Sequence, residues 1–146
     1  MTFRFDLSMS WIAANFKKDK KMVDPFKMSA SELGDAFENN LINPVEVLEA
    51  YFEAIQKSTL TERIYVEVTK ERAFGEAEDA RKRQKLGLRM GPLDGVPISW
   101  KDLFDVAGHE TSAGSDLLKG RMPQTDCAIL EQASINGLVT LGKTHM

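Results

Sequence analysis

From residue 29 onward, apolar positions recur at spacings of three and four in some stretches and run almost continuously in others, which predicts helices interleaved with short strands. Ser29-Ala30-Ser31-Glu32 has capping-box spacing, so a short helix is expected to begin there and fade near Asn39-Asn40. Asn43-Pro44-Val45-Glu46 repeats the device with proline at the first helical position, and Val45, Leu48, Phe52 and Ile55 then form one apolar stripe that reads as core packing. Between Lys70 and Leu86, Ala73, Ala77 and Ala80 recur on one face among many charges, and Gly87 stands where a left-handed cap is wanted. Alanine on a contact face implies close approach to a neighbour. Asp126 is the expected N-cap of a further helix that carries Ile129, Leu130 and Ala133 and closes at Asn136-Gly137.

The extended segments are Ile64 to Val68, Val96 to Trp100 and Leu138 to Leu141, the last of a type normally buried on both faces. Gly91 to Gly95 is turn chemistry leading into the second of these, and residues 107–125, rich in small and polar types, read as a long surface connection. Strand, crossover helix and strand make a βαβ unit. The fold class is therefore α/β, with amino-terminal helices followed by the start of a mixed, largely parallel sheet with flanking helices. Because so short a sheet normally needs more strands beside it, the chain reads as a fragment. Residues 1–28 mix Phe3, Phe5, Trp11 and Phe16 with the basic cluster Lys17-Lys18-Asp19-Lys20-Lys21 without a sustained period, so the division expected is an extension (1–28) and one truncated domain (29–146).

Composition narrows the options. The 146 residues are 42 % hydrophobic and 28 % charged, ordinary for a globular domain. A net charge of -3 argues against a general nucleic-acid binder, and the apolar runs are too short for a membrane span or signal peptide. The single cysteine, Cys127, excludes an internal disulfide and a cysteine-rich metal site and fits a reducing compartment, so a cytoplasmic location with no membrane or nucleic-acid partner is expected.

Several residues invite a chemical reading. Gly137-x-x-x-x-Gly142-Lys143-Thr144 satisfies the P-loop spacing, but the residues between the glycines are strand material and no helix follows the lysine to cradle phosphate. His109, Asp105, Asp116, Ser112 and Ser115 supply the types of a Ser-His-Asp triad, although triads draw their members from distant segments. His109, His145 and Glu110 match no metal-binding spacing, and the two histidines read as solvent-exposed loop residues, while Cys127 reads as a small packing residue. Lys101 differs, because it stands at the carboxyl end of a parallel-type strand, where open α/β sheets assemble their sites. On the residues alone, a snorkelling lysine or one ion-paired with neighbouring Asp102 is the plain alternative.

The segment Gly91-Pro92-Leu93-Asp94-Gly95-Val96-Pro97-Ile98-Ser99-Trp100-Lys101-Asp102-Leu103-Phe104-Asp105-Val106-Ala107-Gly108, followed by Thr111-Ser112-Ala113-Gly114-Ser115, resembles the lysine-bearing segment of the amidase-signature family. Ser31-Glu32-Leu33 and Pro44 to Tyr51 resemble its opening helices, and Asp126-Cys127-Ala128 with Leu141 to Met146 resembles the helix and strand after the lysine loop. Trp100 and His109 stand where smaller or aliphatic residues are common.

The resemblance implies an incomplete amidase-signature fold and a cofactor-free hydrolase of carboxamide C–N bonds. In that family a serine nucleophile is activated through a second serine, preceded by a cis peptide bond, by a lysine base. Lys101 matches the lysine. A lysine amine serves as base near pH 7 only where desolvation or a positive field lowers its pKa by about three units, and a buried strand end is the expected means. The Gly-Ser-Ser-rich segment carrying both serines is not among these 146 residues, so the chain is expected to be inactive alone. The implied partners are a small amide substrate and the missing carboxyl-terminal part. Within the family, the alternative is a member that works in a complex, the A subunit of glutamyl-tRNA amidotransferase. From another class, the alternative is a non-catalytic remnant or interaction module whose sheet edge pairs with a partner or a second copy.

Overall fold

The computed structural model describes residues 23–146; the aromatics Phe3, Phe5, Trp11 and Phe16 and the basic cluster around Lys17 to Lys21 lie outside the described residues. The elements in order are α1 (Ala30–Glu38), α2 (Pro44–Lys57), α3 (Thr61–Ile64), β1 (Tyr65–Val68), α4 (Lys70–Leu86), β2 (Pro97–Lys101), α5 (Ala128–Ile135) and β3 (Val139–Thr144), with short 3-10 turns at Pro25–Lys27 and Asp116–Leu118. Both expected capping boxes are formed, with Ser29 and Glu32 opening α1 and Asn43 and Glu46 opening α2. Within the expected extension, residues 23–28 lie against α2: the Tyr51 hydroxyl donates to the Pro25 carbonyl at 3.0 Å, and the Phe26 and Tyr51 rings are 5.2 Å apart.

Helix α2 buries two faces rather than one stripe. Leu48 and Phe52 join Ala73 and Ala77 of α4 and Val139 and Leu141 of β3, with Val45 and Ile55 at the margin. Val47, off that stripe, packs on Leu33 and Phe37 of α1 and on Val96. The helix sits between two neighbours, which a single stripe of four residues does not reveal. Ala73, Ala77 and Ala80 are all buried, and Phe74 stacks on Phe52 at 5.4 Å, so the alanine face does bring α4 close to its partners. Gly87 ends α4 at φ 67, the left-handed conformation that costs glycine no Cβ clash.

The sheet has order β1-β3-β2. β2 pairs parallel with β3, and β1 pairs antiparallel with the other side of β3, so the sheet is mixed. As the central strand, β3 is buried from Val139 to Lys143 and runs on to Thr144, past the apolar run from which it was expected. Ile64, expected in the first strand, is instead taken up by the single turn α3.

One expected cap is corrected. Helix α5 begins at Ala128 with Cys127 as its N-cap, and Asp126 does not cap it. The Asp126 carboxylate accepts two hydrogen bonds from the Arg72 guanidinium, at 2.8 and 2.6 Å, and one from the Ala107 N–H at 2.7 Å. A bidentate charge-assisted contact is stronger than a cap to neutral amides, and it wins the side chain.

The alanine interface gives a direct test. Ala77→Leu overpacks a fully buried site and should lower stability by about 1–3 kcal/mol. Glu71→Leu, on the exposed side of the same helix, should change it by no more than about 0.5 kcal/mol; thermal or urea unfolding of both variants checks the contrast.

Candidate functional site

The site lies at the carboxyl end of β2, where three consecutive residues point in alternating directions. Trp100 is 7 % exposed and packs on Val106 and Leu130, with its ring edge-on to Phe104 at 5.8 Å. Asp102 is 1 % exposed. Lys101, between them, is exposed, and among the described residues its ammonium makes no hydrogen bond or ion pair. The expected burial of Lys101 is thus corrected: the inward directions belong to Trp100 and Asp102, and alternation sends the lysine outward. The same face carries Ser99, whose hydroxyl lies 3.1 Å from that of Tyr65 on β1.

The lysine sealed inside is Lys143, at 0 % exposure in the central strand. Its Nζ lies 2.6 Å from Asp102 Oδ1, donates to the Thr111 hydroxyl at 2.6 Å and also donates to the Glu110 carbonyl. Asp102 Oδ2 accepts from the Ser112 hydroxyl at 2.7 Å and from the Ser112 and Ala113 amides at 3.1 Å each. Burial by itself would raise the Asp102 carboxyl, but the hydrogen bonds from Lys143 and Ser112 outweigh it and hold the group below the usual carboxylate range. Asp102 is therefore the counter-ion of Lys143, not of its sequence neighbour Lys101. Sequence reasoning missed this pair, although a lysine directly after an apolar strand run signals that some carboxylate must be buried with it.

The other candidate groupings come apart. Each residue of Gly142-Lys143-Thr144 has a structural task within β3: a Cβ on Gly142 would meet the Glu67 carbonyl oxygen at 2.6 Å, Lys143 holds Asp102, and the Thr144 hydroxyl reaches the Trp100 carbonyl at 3.4 Å. Of the local triad types, Ser112 bonds to Asp102, Ser115 caps the 3-10 turn at the Leu117 amide, and Asp105 pairs with Arg121 at 2.6 Å. His109 is corrected from a solvent-exposed loop residue to a half-buried one whose Nδ1 is 2.7 Å from Glu67 Oε1. His145 is exposed, with Nε2 3.1 Å from the Glu62 carbonyl. Among the described residues there is no group of three or more His, Cys, Asp or Glu placed to hold a metal ion. No helix among them is long and apolar enough to cross a membrane.

The order of these parts is a parallel strand ending in an outward lysine, a buried acid next to it, a laced loop and then a second strand. Residues 46–146, more than half of the chain, match the Amidase family model. The chain belongs to the amidase family. The A subunit of the mitochondrial glutamyl-tRNA(Gln) amidotransferase of Ornithorhynchus anatinus is 34 % identical over 119 residues, 82 % of this chain and 22 % of the relative. The corresponding A subunit of the glutamyl-tRNA(Gln) amidotransferase of Thermobifida fusca is 33 % identical over 125 residues, 86 % of this chain and 25 % of the relative. The native peptide amidase of Stenotrophomonas maltophilia superimposes with a TM-score of 0.73 at 27 % identity, over 81 % of this chain and 24 % of that one. This amidase segment therefore spans roughly a quarter of the length of the relatives it matches. Lys101, Asp102 and Lys143 all lie inside the matched residues.

The carboxylates bracing the segment set its acid response. Arg72 holds Asp126 below the ordinary range against the opposing effect of burial, as Lys143 and Ser112 do for Asp102. A carboxyl that titrates lower folded than unfolded adds stability above its unfolded value of about 3.9, and that addition is lost as pH falls through the folded value. The melting temperature should therefore hold from pH 7 to about 5 and fall below that. Asp126→Asn should melt lower than the parent at pH 7, with the gap closing toward pH 3. A gap independent of pH in paired thermal melts would contradict the assignment.

Proposed function

We propose that this segment supplies the base of an amidase that hydrolyses carboxamide C–N bonds by a Ser, cis-Ser and Lys mechanism, with Lys101 as that base. The observation that carries the reading is the contrast between two lysines at one sheet end. Lys143 is consumed by Asp102, whereas Lys101, at the carboxyl end of a parallel strand where α/β folds place reacting groups, is exposed and has no partner among the described residues. The matched family and the peptide amidase likeness support the same chemistry.

In this mechanism the segment that brings both serines covers the exposed head of Lys101, the desolvation that leaves its amine neutral, and that amine takes the proton of an intervening serine hydroxyl, which takes that of the nucleophilic serine as it attacks the amide carbon. The proton then passes to the departing nitrogen, and water releases the acyl group by the reverse relay. Side chains alone carry these steps. Both serines come from a Gly-Ser-Ser-rich segment outside these 146 residues, so residues 1–146 alone should show no turnover. The lone cysteine supports a reducing compartment such as the cytoplasm.

A second reading within the family, an A subunit of a glutamyl-tRNA amidotransferase, is favoured by the names of the two relatives above. It predicts co-purification with further subunits and ammonia release from glutamine that depends on charged tRNA. A free-standing amidase predicts neither.

The decisive experiment measures ammonia release from simple carboxamides by the full-length gene product. Lys101→Ala should lower kcat by about 10²–10⁴-fold, the range of general-base catalysis. Because the side chain is exposed, the melting temperature should stay within about 2 °C of the parent. Activity within threefold of the parent would remove Lys101 from the mechanism.

A further inference from the structure

We infer that Asp102 and Lys143 form a positioning pair that fixes the direction of Lys101, an inference that rests on the reading of Lys101 as the base. The peptide frame on both sides of Lys101 is held, while its head has no partner among the described residues. On the amino side, Trp100 is buried in the cluster with Val106 and Leu130, and its carbonyl accepts from the Thr144 hydroxyl. On the carboxyl side, the Asp102 amide donates to the Thr144 carbonyl at 2.9 Å, the Ala113 amide donates to the Asp102 carbonyl at 3.1 Å, and the Phe104 amide donates back to the Lys101 carbonyl at 3.0 Å. The Asp102 carboxylate then binds three donors from Ser112 and Ala113 and the ammonium of Lys143.

These contacts converge on one residue from three elements: β2, β3 and the loop around residue 112. Lys143 ties in the loop a second time through Thr111 and the Glu110 carbonyl. The loop itself has an unusual path there, with Ala113 at φ 49 and Gly114 at φ 65, a course that the amides donated to Asp102 accompany. A strand end free to fray would let the Lys101 Cα–Cβ direction wander, and an error of about 1 Å in the position of a catalytic group can cost 10²-fold in rate. The ion pair removes that freedom without touching the Lys101 amine.

The test uses the full-length gene product and the same ammonia assay, with kcat normalised to folded protein by circular dichroism. Asp102→Asn should lower kcat at least tenfold with KM changed less than threefold. Because this variant leaves Lys143 buried without a counter-charge, the double variant Asp102→Asn/Lys143→Gln, which keeps a neutral hydrogen-bonding pair, is read beside it and should show the same loss of kcat in a folded protein. Ser112→Ala, which deletes only one donor to Asp102, should lower kcat about threefold and decides the matter if neither of the others folds. Arg121→Ala breaks the ion pair to Asp105 in the same loop and should leave kcat within twofold, which separates positioning from general bracing. Unchanged kcat in folded Asp102 variants, or in Ser112→Ala if those do not fold, alongside an inactive Lys101→Ala, overturns the positioning pair and leaves the base in place. An active Lys101→Ala overturns both.

Discussion

A full positive charge inside the central strand of a small sheet must be answered, and the arrangement around Lys143 is that answer. Removing an ammonium from water costs several kcal/mol even after relaxation, so the strand is tolerable only with a carboxylate and further acceptors at hand. Asp102, Thr111 and the Glu110 carbonyl supply them. The consequence reaches beyond the pair. Asp102 can meet Lys143 only if β2 lies parallel to β3 in the observed register, Trp100 beside Lys143 and Lys101 beside Thr144. A shift of one residue would turn Asp102 toward the opposite face and strand both charges. The ion pair is thus as much a register lock as a stabilising contact.

Charge does similar work on α4, which looks in sequence like a solvated helix with a thin alanine stripe. Two of its three arginines are committed to other segments, while Arg81 pairs with Glu78 of the same helix. Arg72 holds Asp126 at the entry to α5, and Arg83 pairs with Asp94, 1 % exposed in the turn before β2, at 2.6 Å. The Asp94 carboxylate also accepts from the Met90 amide at 2.9 Å, so one buried acid fixes both ends of its turn. The alanines let α4 approach α2 and β3, and the arginines on its flanks tie down the connections that deliver β2 and α5. Packing and charge divide the labour: the first sets the distance between layers, the second the path of the loops.

How much of this could be read from the chain follows the range of the interactions. Capping boxes at Ser29 and Asn43, the Gly87 cap and the alanine face of α4 are local patterns, decided within one or two turns, and each was legible. The second buried face of α2 at Val47 was not, because it depends on α1 folding back across it. Asp126 carried a true local preference for the cap, and a distant arginine 54 residues away overrode it. The Gly-Lys-Thr tripeptide was legible only as something other than a P-loop. What the glycine and lysine do depends on β1 pairing alongside Gly142 and Asp102 arriving beside Lys143, neither of which local spacing records.

The candidate site shows the same division within three residues. A sequence read locally pairs Lys101 with Asp102, because they are adjacent and opposite in charge. In a strand, however, adjacent side chains leave by opposite faces, so neighbours in sequence are the two residues least able to meet. Asp102 therefore had to find its cation on another strand, and Lys101 was left without its nearest acid. That separation suits the role proposed for Lys101, since an amine held in an ion pair with a neighbouring carboxylate stays protonated. By giving the acid to Lys143, the pleat keeps a second lysine available at the sheet end and holds the backbone on either side of it.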